Sequence, residues 1–313
     1  MVDVSIIIIN YNSFDLLSDC LATLFEHTKG ISFEVIVVDN GSTLPGLEEV
    51  KKLFPSVKYI TNEKGMGFAS ANNLGIKNAS GRYILMLNND ILFIEDALSK
   101  IVGYSNLLGN NAIIGCKLLN RDLSYQVSVV DYDCLINLIG ETFFLYKLFP
   151  RNRFLSKYHL NNRYQTEPME VEAVKGAFLF APKKIFDTLN NLDERFFFYY
   201  EETDFCCRWK KSGGKIIYYP GAKIIHLGGA STDSDHWFKY KFQHLSKIQF
   251  FQKHFNGIKF LLAVILQYAA LIIRFPLYFI IGLLKRDSAL IRKSGYYLRS
   301  IFLFPSGNNG GIS

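Results

Sequence analysis

At residues 4–12 the chain reads VSIIIINYN, a run of apolar and mainly β-branched residues that ends in a polar loop. An unbroken apolar run of this kind is typical of a strand that is buried on both faces of a sheet. Phe33–Val38 is a second such run and ends at Asp39, and Tyr83–Leu87 is a third that continues into Asn88–Asp90. These runs predict buried strands that are each followed by polar side chains.

The segments between these runs have the pattern of helices. From Ser13 to His27 the apolar residues recur at helical spacing, and Phe68–Ala79 has the same pattern after a short predicted strand at Val57–Thr61. Strands that alternate with helices predict an α/β fold with a parallel sheet, whose ligands bind beyond the carboxyl ends of the strands. The polar clusters after the first, second and fourth strands all fall on that edge.

The second half of the chain is less uniform. Leu119–Glu170 is irregular and rich in Asn, Tyr and Phe, and a regular pattern returns at Val171–Ala181. We then expect a helix at Glu201–Lys211 and strands at Lys215–Tyr219 and Ala222–Ile225.

Two of the polar clusters carry candidate ligand groups. The carboxylate of Asp39 can accept the imide N–H of a uracil or thymine ring, although the same pattern also fits an Asx turn or a helix cap. Asn88–Asp90 offers one carboxylate, and hard cations such as Mg²⁺ and Mn²⁺ bind carboxylate oxygens together with phosphate oxygens. The alternative for this second cluster is a polar turn that caps the next helix.

The predicted helix at Glu201–Lys211 begins with three acidic residues. Asp204 and Arg208 are spaced to form a pair on one face, while Glu202 lies about a quarter turn away and can face a cleft. A general base must be ionised in the resting enzyme, and the positive end of a helix favours that form. The alternative is an acidic first turn that only complements the helix dipole.

His226 follows the strand-like run at Ala222–Ile225. Its imidazole could bind a metal or a diphosphate, although an isolated histidine also fits a residue with a purely structural role. Gly65–Gly67 is not a dinucleotide loop, because Ser70 takes the place of the third glycine and the first strand is followed by no glycine. The sequence also has no phosphate-binding lysine motif of the Walker type.

The C-terminal part of the chain is basic and apolar. Trp237–Ser313 contains eleven Lys and Arg residues against the single acid Asp287, a net +10, so the rest of the chain carries −3 of the total of +7. Basic charge beside long apolar runs suits an anionic membrane surface, whereas a nucleic-acid partner would leave the apolar runs unexplained. We therefore expect a membrane partner and no nucleic acid.

This tail contains an amphipathic segment at Phe238–Phe255 and an apolar run at Ile258–Leu284. The run is long enough to span a bilayer, but Gln267 and Arg274 interrupt it and Pro276 should kink it. We expect two shorter helices that lie in one leaflet, with a true membrane span and a helix buried in a homodimer as the alternatives.

The order of these motifs resembles glycosyltransferase family 2, with the GT-A fold, and in particular bacterial rhamnosyltransferase-like proteins of surface polysaccharide assembly. The resemblance runs from Val4 to about Ser231. It implies a Rossmann-like, mainly parallel sheet flanked by helices, with a catalytic domain at residues 1–232. Residues 233–313 would then form a helical, membrane-associated extension.

The resemblance also assigns roles to single residues. The residues implied in donor binding are Asn10, Asn12, Asp39, Asn62, Gly67, Asn73, Asn89 and Gly176. Asp90 belongs to a degenerate Asp-x-Asp motif and implies a bound Mg²⁺ or Mn²⁺, whose site His226 would complete. Asn88 replaces the first carboxylate of that motif. Glu202 matches the catalytic base, with Glu201 beside it in the same acidic motif.

The implied activity is an inverting, metal-dependent transfer of a sugar from a UDP- or dTDP-sugar to a glycan acceptor. The acceptor would be linked to polyprenyl diphosphate, and the irregular segment Leu119–Glu170 would shape its cleft. We expect the protein at the cytoplasmic face of the cell membrane, because the apolar run Ile6–Ile9 lacks a preceding basic region and is too short for a signal peptide. The alternatives are a sugar-nucleotide-binding scaffold without activity and a sugar-phosphate nucleotidyltransferase.

Overall fold

The computed structural model describes residues 2–157, 166–228 and 236–305. The chain divides into two compact units. The first, here called the sheet unit, comprises residues 1–132, 162–197 and 201–233, and the second, the helical unit, comprises residues 133–161, 198–200 and 234–313. The domain boundary expected at 232/233 falls among residues 229–235, which lie outside the described ranges, and it stays a prediction.

All described strands belong to the sheet unit. They are β1 (Val4–Asn10), β2 (Phe33–Asp39), β3 (Lys58–Thr61), β4 (Tyr83–Asn88), β5 (Ile91–Phe93), β6 (Ala112–Leu119), β7 (Tyr125–Gln126), β8 (Val129–Val130), β9 (Met169–Glu170), β10 (Ala173–Val174), β11 (Phe178–Pro182) and β12 (Lys215–His226). Lys215–Tyr219 and Ala222–Ile225 are therefore one strand, and the expectation of two is wrong. The register against β6 shifts between Tyr219 and Lys223, which lets the strand continue past Pro220.

The described helices are divided between the two units. They are α1 (Phe14–His27), α2 (Leu47–Leu53), α3 (Phe68–Lys77), α4 (Ala97–Leu107), α5 (Leu135–Thr142), α6 (Leu145–Leu148), α7 (Lys183–Thr188), α8 (Glu201–Lys211), α9 (His236–His254), α10 (Gly257–Lys285) and α11 (Ser288–Ile301). Helices α5, α6, α9, α10 and α11 lie in the helical unit, and the others lie in the sheet unit.

The main sheet has the strand order β3-β2-β1-β4-β11-β6-β12-β5, with β7 beside β6 and β9 beside β12. Strands β3, β2, β1 and β4 run parallel to one another, whereas β11 runs antiparallel to β4 and β5 runs antiparallel to β12. The central strands β1 and β4 are buried over nearly their whole length, as their apolar runs predict. The expected mixed, mainly parallel α/β sheet flanked by helices is confirmed.

The helical unit contains the tail helices. The expectation of two short helices at Ile258–Leu284 is wrong, because α10 runs without a break from Gly257 to Lys285 and includes Pro276. Of the described helices, α10 alone is long and apolar enough to cross a membrane by its length and composition.

The two polar residues that interrupt the apolar run have partners inside the helical unit. Arg274 donates to the backbone carbonyl of Glu141 at 2.7 Å, and its guanidinium lies 5.0 Å from the ring centroid of Phe144. Gln267 lies 3.2 Å from the ring nitrogen of His244. Because these polar groups are satisfied within the unit, the helix can continue through a segment that composition alone would divide.

Residues 198–200 are held by helix α9 and the start of the irregular segment. Ser246 of α9 donates to the carbonyl of Phe198 at 2.8 Å, and Tyr200 donates to Asp133 at 2.8 Å. Lys247 pairs with the same Asp133 at 3.1 Å. These contacts hold Tyr200 in a left-handed backbone conformation, with a φ of 70°. Residues other than glycine rarely adopt this conformation.

Candidate active site

The carboxyl ends of β1, β2 and β4 meet at one edge of the sheet, as the sequence predicts. In the parallel register Asn10 of β1 lies opposite Asp39 of β2, and Ile9 lies opposite Asn88 of β4. Because β1 is the central strand of the three, its last residue adjoins the polar ends of both neighbours. The motifs that are distant in the sequence are therefore adjacent in the structure.

A chain of buried hydrogen bonds joins the expected base-binding and metal-binding motifs. Asn89 donates to the amide oxygen of Asn10 at 2.9 Å, and Asn10 donates to Oδ1 of Asp39 at 3.2 Å. Ser42 also donates to Oδ1 of Asp39, at 2.5 Å. Among the described residues, both of these bonds end on Oδ1, which orients the carboxylate and directs its second oxygen away from the network.

Asn12 and Asn62 hold the loops beside this edge. The amide oxygen of Asn12 accepts from the backbone N–H groups of Thr43 and Leu44 at 2.7 and 2.9 Å, which ties the loop after β1 to the loop after β2. Asn62 donates to Asn40 at 3.0 Å, and the same Asn40 oxygen accepts from the backbone of Met66 at 2.9 Å. These contacts make Asn12 and Asn62 positioning residues for the loops beside this edge, and their part in donor binding stays a prediction.

Asp90 and His226 come together on neighbouring strands. His226 lies at the end of β12 opposite Ile91 of β5, and the backbone N–H of Leu227 donates to the carbonyl of Asp90 at 3.0 Å. Oδ1 of Asp90 is 3.4 Å from Nε2 of His226, and both side chains are largely buried. Within the described part of the chain, Oδ1 of Asp90 has no hydrogen-bond partner.

A buried carboxylate oxygen without a hydrogen bond is costly unless a cation neutralises it. The Asp90–His226 pair therefore fits a divalent metal through one carboxylate oxygen and one imidazole nitrogen. In the described ranges, no group of three or more His, Cys, Asp or Glu side chains is arranged to hold a metal. The two side chains alone leave most of the coordination shell to other oxygen ligands.

The acidic start of α8 lies close to the same edge of the sheet. A Cβ atom on Gly176 would meet the side-chain carbons of Glu202 at 3.5 Å, which places the backbone of Gly176 directly beside Glu202. The next residue, Ala177, accepts a backbone hydrogen bond from Asn88 at 3.1 Å. The segment at Gly176 thus connects Glu202 to the motif that contains Asp90.

Glu201 and Glu202 are adjacent carboxyl groups in a water-poor environment. In the described structure, Oε2 of each has no hydrogen-bond partner. Burial raises the pKa of Glu202, and the backbone N–H groups at the helix start and Lys175 lower it by less. Burial and the neighbouring Glu202 raise the pKa of Glu201 well above its usual value. Burial therefore opposes the ionised form of Glu202 more strongly than the helix terminus favours it, and the ionised base stays a prediction.

The expected pair of Asp204 and Arg208 on α8 is confirmed. Arg208 donates to Asp204 at 2.8 Å and also to the backbone carbonyl oxygens of Leu189 and Asn191. Asp204 is completely buried, and this pair neutralises it. Asp204 is therefore a structural acid, whereas its neighbours Glu201 and Glu202 retain unpartnered oxygens.

The structure places Gly67 and Asn73 against the segment that precedes α8. A Cβ atom on Gly67 would approach the backbone of Phe197 to 3.0 Å, so the close approach requires glycine. The amide of Asn73 donates to the carbonyl of Leu192 and to Glu194, both at 2.9 Å, and accepts from the N–H of Leu192 at 3.0 Å. The side chain of Asn73 thus fixes the loop before the acidic motif.

Gln126 is part of this site, although no sequence pattern predicts it. Gln126 lies in the two-residue strand β7 and contacts both the ring and the backbone carbonyl of His226, at 2.5 and 3.0 Å. It belongs to the irregular segment, where no periodicity singles out a residue. Only the pairing of β7 with β6 brings it to the site.

Comparisons with known proteins agree with this architecture. The model of "Glycosyl transferase family 2" matches residues 5–159, about half of the chain, and this stretch contains the ends of β1, β2 and β4. The chain belongs to glycosyltransferase family 2. The expectation from the order of the motifs is therefore confirmed.

Two curated relatives are informative. The O-antigen biosynthesis protein RfbC of Myxococcus xanthus is 26% identical over 76% of this chain, which spans only 19% of the relative. The "UDP-Glc:alpha-D-GlcNAc-diphosphoundecaprenol beta-1,3-glucosyltransferase WfgD" of Escherichia coli is 29% identical over 39% of this chain and 53% of its own length. Family 2 glycosyltransferases of glycan biosynthesis are thus the curated proteins that this chain resembles.

A solved structure confirms the fold. The crystal structure of GalNAc-T7 with UDP, GalNAc and Mn²⁺ superposes with a TM-score of 0.54 at 16% identity, covering 72% of this chain and 44% of that one. At this identity the likeness establishes the GT-A fold alone. The roles of single residues depend on the geometry described above.

Proposed function

We propose that this glycosyltransferase moves a sugar from a UDP- or dTDP-sugar to a lipid-linked glycan acceptor, with a divalent metal and with inversion at the anomeric carbon. The observation that carries the proposal is the pair of Asp90 and His226, which meet beside the strand ends with an unpartnered buried carboxylate oxygen. Mg²⁺ or Mn²⁺ bound there would neutralise the charge that develops on the departing diphosphate.

The donor side of the proposal rests on the ordered polar edge. Asp39 is oriented by Asn10 and Ser42 through its Oδ1, so its other oxygen can accept the imide N–H of uracil or thymine. Asn89 links this carboxylate network to the metal motif. The arrangement suits a ligand with a pyrimidine at one end and a diphosphate at the other.

The acceptor side rests on Glu202. A single displacement that inverts the anomeric carbon needs one base to take the proton of the attacking hydroxyl. Glu202 lies beside Gly176, and its Oε2 has no hydrogen-bond partner among the described residues. We assign Glu202 as this base and Glu201 as the neighbouring acid that shares its buried environment.

Attachment to the cytoplasmic face of the membrane rests on α10. Its exposed apolar residues are Ile258, Leu261, Leu262, Ile265, Ile272, Leu277, Phe279, Ile280, Leu283 and Leu284. Gln267 and Arg274 have polar partners within the helical unit, so the exposed surface is apolar and can enter a lipid leaflet. The relative WfgD, whose name gives a diphosphoundecaprenol acceptor, supports a lipid-linked acceptor for this chain.

The donor is tested by calorimetric titration of the full-length protein with UDP- and dTDP-sugars, each with Mn²⁺, with Mg²⁺ and with a chelator. We expect one pyrimidine series to bind in a metal-dependent way and Asp39→Asn to weaken that binding. A purine sugar nucleotide that binds more tightly than both series would contradict the assignment of Asp39.

The membrane surface is tested by flotation with anionic and neutral vesicles. The double variant Ile265→Glu/Ile280→Glu should lose vesicle binding, because two charges would enter the apolar face of α10. Leu107→Glu is the matched control, since Leu107 is 83% exposed on the sheet unit. Equal flotation of all three proteins would argue against α10 as the attachment surface.

The rival reading is a sugar-nucleotide-binding scaffold without activity. It predicts donor binding without transfer to any acceptor and no functional difference between wild type and Glu202→Gln. A sugar-phosphate nucleotidyltransferase is disfavoured because the loop after β1 is Tyr11-Asn12-Ser13 and lacks the Gly-rich basic sequence that a triphosphate requires.

A further inference from the structure

We infer that Gln126 is a positioning residue that fixes the tautomer of His226 and thereby directs the Nε2 lone pair of this histidine towards Asp90. The inference rests on the proposed metal site and adds to it a residue outside the motifs that the sequence identifies. It concerns the state of His226 before any metal binds.

The amide of Gln126 contacts His226 at two points. Its oxygen lies 2.5 Å from Nδ1 of the imidazole, and its nitrogen donates to the backbone carbonyl of His226 at 3.0 Å. A neutral imidazole has one N–H and one lone pair, and an amide oxygen can only accept. Nδ1 must therefore hold the proton and donate it to Gln126.

The amide cannot simply turn over, because its nitrogen has two acceptors. The second is the side-chain oxygen of Asn120, at 2.9 Å. If the amide were reversed, its oxygen would face these two acceptors and the bonds from its nitrogen would be lost. The orientation of Gln126 is thus set independently of the imidazole.

Further side-chain hydrogen bonds continue this order of donors and acceptors along the turn between β6 and β7. Asn120 donates to the hydroxyl of Ser124 at 2.9 Å, and Ser124 donates to the carboxylate of Asp122 at 2.6 Å. The hydrogen bonds from Ser124 hold the pKa of Asp122 below its usual value, so the chain ends on an ionised acceptor. The side-chain donors thus run in one direction from Nδ1 of His226 to Asp122, while the second N–H of Gln126 donates back to the carbonyl of His226.

The proton on Nδ1 determines the state of Nε2, on the other side of the His226 imidazole. With the proton on Nδ1, Nε2 presents its lone pair 3.4 Å from Oδ1 of Asp90 and 3.4 Å from the amide nitrogen of Asn88. A metal-binding histidine needs this neutral form, and the acceptor for its second nitrogen sets both the ring orientation and the metal affinity. Gln126 supplies that acceptor in this chain.

The first test measures the tautomer directly, without metal. In a ¹⁵N-histidine NMR spectrum of the full-length protein, the resonances that vanish in His226→Ala identify the ring. We expect Nδ1 protonated and Nε2 bare in wild type, and loss of this preference in Gln126→Leu. An Nε2-protonated ring in wild type, or an unchanged tautomer in Gln126→Leu, would overturn the inference.

The second test measures Mn²⁺ affinity by electron paramagnetic resonance on the same proteins. Gln126→Leu should weaken Mn²⁺ binding by about 10–100-fold, as loss of a partner behind a metal-binding histidine does. Asn120→Ala should weaken it less, because the carbonyl of His226 still holds the amide of Gln126. Binding of Mn²⁺ to Gln126→Leu with wild-type affinity would contradict the role of Gln126.

The failure of this inference and the failure of the proposed function give different results. If His226→Ala binds Mn²⁺ as wild type does, the proposed metal site is wrong, whatever the tautomer. If His226→Ala loses Mn²⁺ while Gln126→Leu keeps it, the metal site stands and the role of Gln126 is wrong. Far-ultraviolet circular dichroism and thermal unfolding, both in chelator, confirm that each variant is folded.

Discussion

The two units differ in whether polar groups in apolar surroundings have hydrogen-bond partners. In the helical unit Arg274 lies in a long apolar helix, but Glu141 and Phe144 satisfy it. In the sheet unit Asp90, Glu201 and Glu202 each have an oxygen without a hydrogen bond among the described residues. A buried polar group without a partner is costly. Thr28, Asn191 and Trp209 of the sheet unit also have such atoms among the described residues, so an unpartnered group indicates a ligand only where it lies near the strand ends, as in Asp90 and Glu202.

The comparison has one exception within the helical unit. Asn137 of α5 is 1% exposed, and both its amide nitrogen and its amide oxygen lack hydrogen bonds within the described part of the chain. No ligand-binding group accompanies it in our assignment. We therefore treat Asn137 as a test of how far an unpartnered amide indicates function.

Apart from Glu202, the largest effect is expected at Asp90. Asp90→Asn removes the anionic oxygen from the metal pair, so metal-dependent transfer should fall by at least about 100-fold and Mn²⁺ affinity should fall with it. Asp187→Asn is the control, because Asp187 forms only an exposed pair with Lys183. Transfer assays over a range of Mn²⁺ concentrations measure both effects, and full activity of Asp90→Asn would break the comparison.

A smaller effect is expected when Arg274 loses its partner. Glu141→Leu removes the carboxylate that lies 3.8 Å from the guanidinium of Arg274 but keeps the backbone carbonyl that accepts its hydrogen bond. It should therefore destabilise the protein by about 1 kcal/mol, the upper end for a partly exposed ion pair. The double variant Glu141→Leu/Arg274→Met should recover most of this loss, because it leaves no unpaired charge. Denaturant unfolding in detergent measures the cycle, and additive losses in the double variant would show that the pair is not what stabilises Arg274.

At Asn137 we expect the substitution to stabilise the protein and not to destabilise it. Replacing an unsatisfied buried amide by Leu should stabilise the helical unit by about 1–2 kcal/mol, because the desolvation cost of the amide disappears. Asn152→Leu is the matched control, since the amide of Asn152 accepts from two backbone N–H groups, and it should destabilise. Loss of vesicle binding or of activity in a stably folded Asn137→Leu would instead assign this amide a function.

The smallest effect concerns the pH dependence of stability. The folded-state pKa of Glu201 is raised, so its contribution favours folding below the unfolded pKa of about 4.3 and is lost as pH rises towards the folded pKa. Glu201→Gln should therefore match wild type near pH 4 and become relatively more stable towards pH 8. Thermal unfolding across this range measures the difference, and parallel stability curves would contradict the raised pKa.

The sequence predicted the fold and most of the site because these depend on local patterns. The apolar runs of β1, β2 and β4 identify a parallel sheet, and the parallel arrangement alone places Asn10, Asp39 and Asn88 side by side. The pairing of Asp204 with Arg208 follows from helical spacing in the same way. Each prediction required only the spacing of residues within one helix or strand and the fact that parallel strands end at the same edge of a sheet.

The features that the sequence did not predict depend on contacts between distant segments. Gln126 reaches His226 across 100 residues, and no periodicity marks a two-residue strand. The continuity of α10 depends on Glu141, which is 133 residues from Arg274 in the sequence. The raised pKa of Glu202 depends on burial by surrounding elements, which outweighs the local helix terminus that the sequence does show.

The central claim is that Glu202 is the base of a glycosyl transfer. It is tested by assaying transfer from the bound sugar nucleotide to a lipid-diphosphate glycan with wild type and Glu202→Gln, with donor affinity measured on both. We predict that Glu202→Gln loses transfer by about 10²–10⁴-fold, as loss of a general base does, while its donor affinity stays within a few-fold of wild type. Transfer by Glu202→Gln at the wild-type rate would contradict the claim.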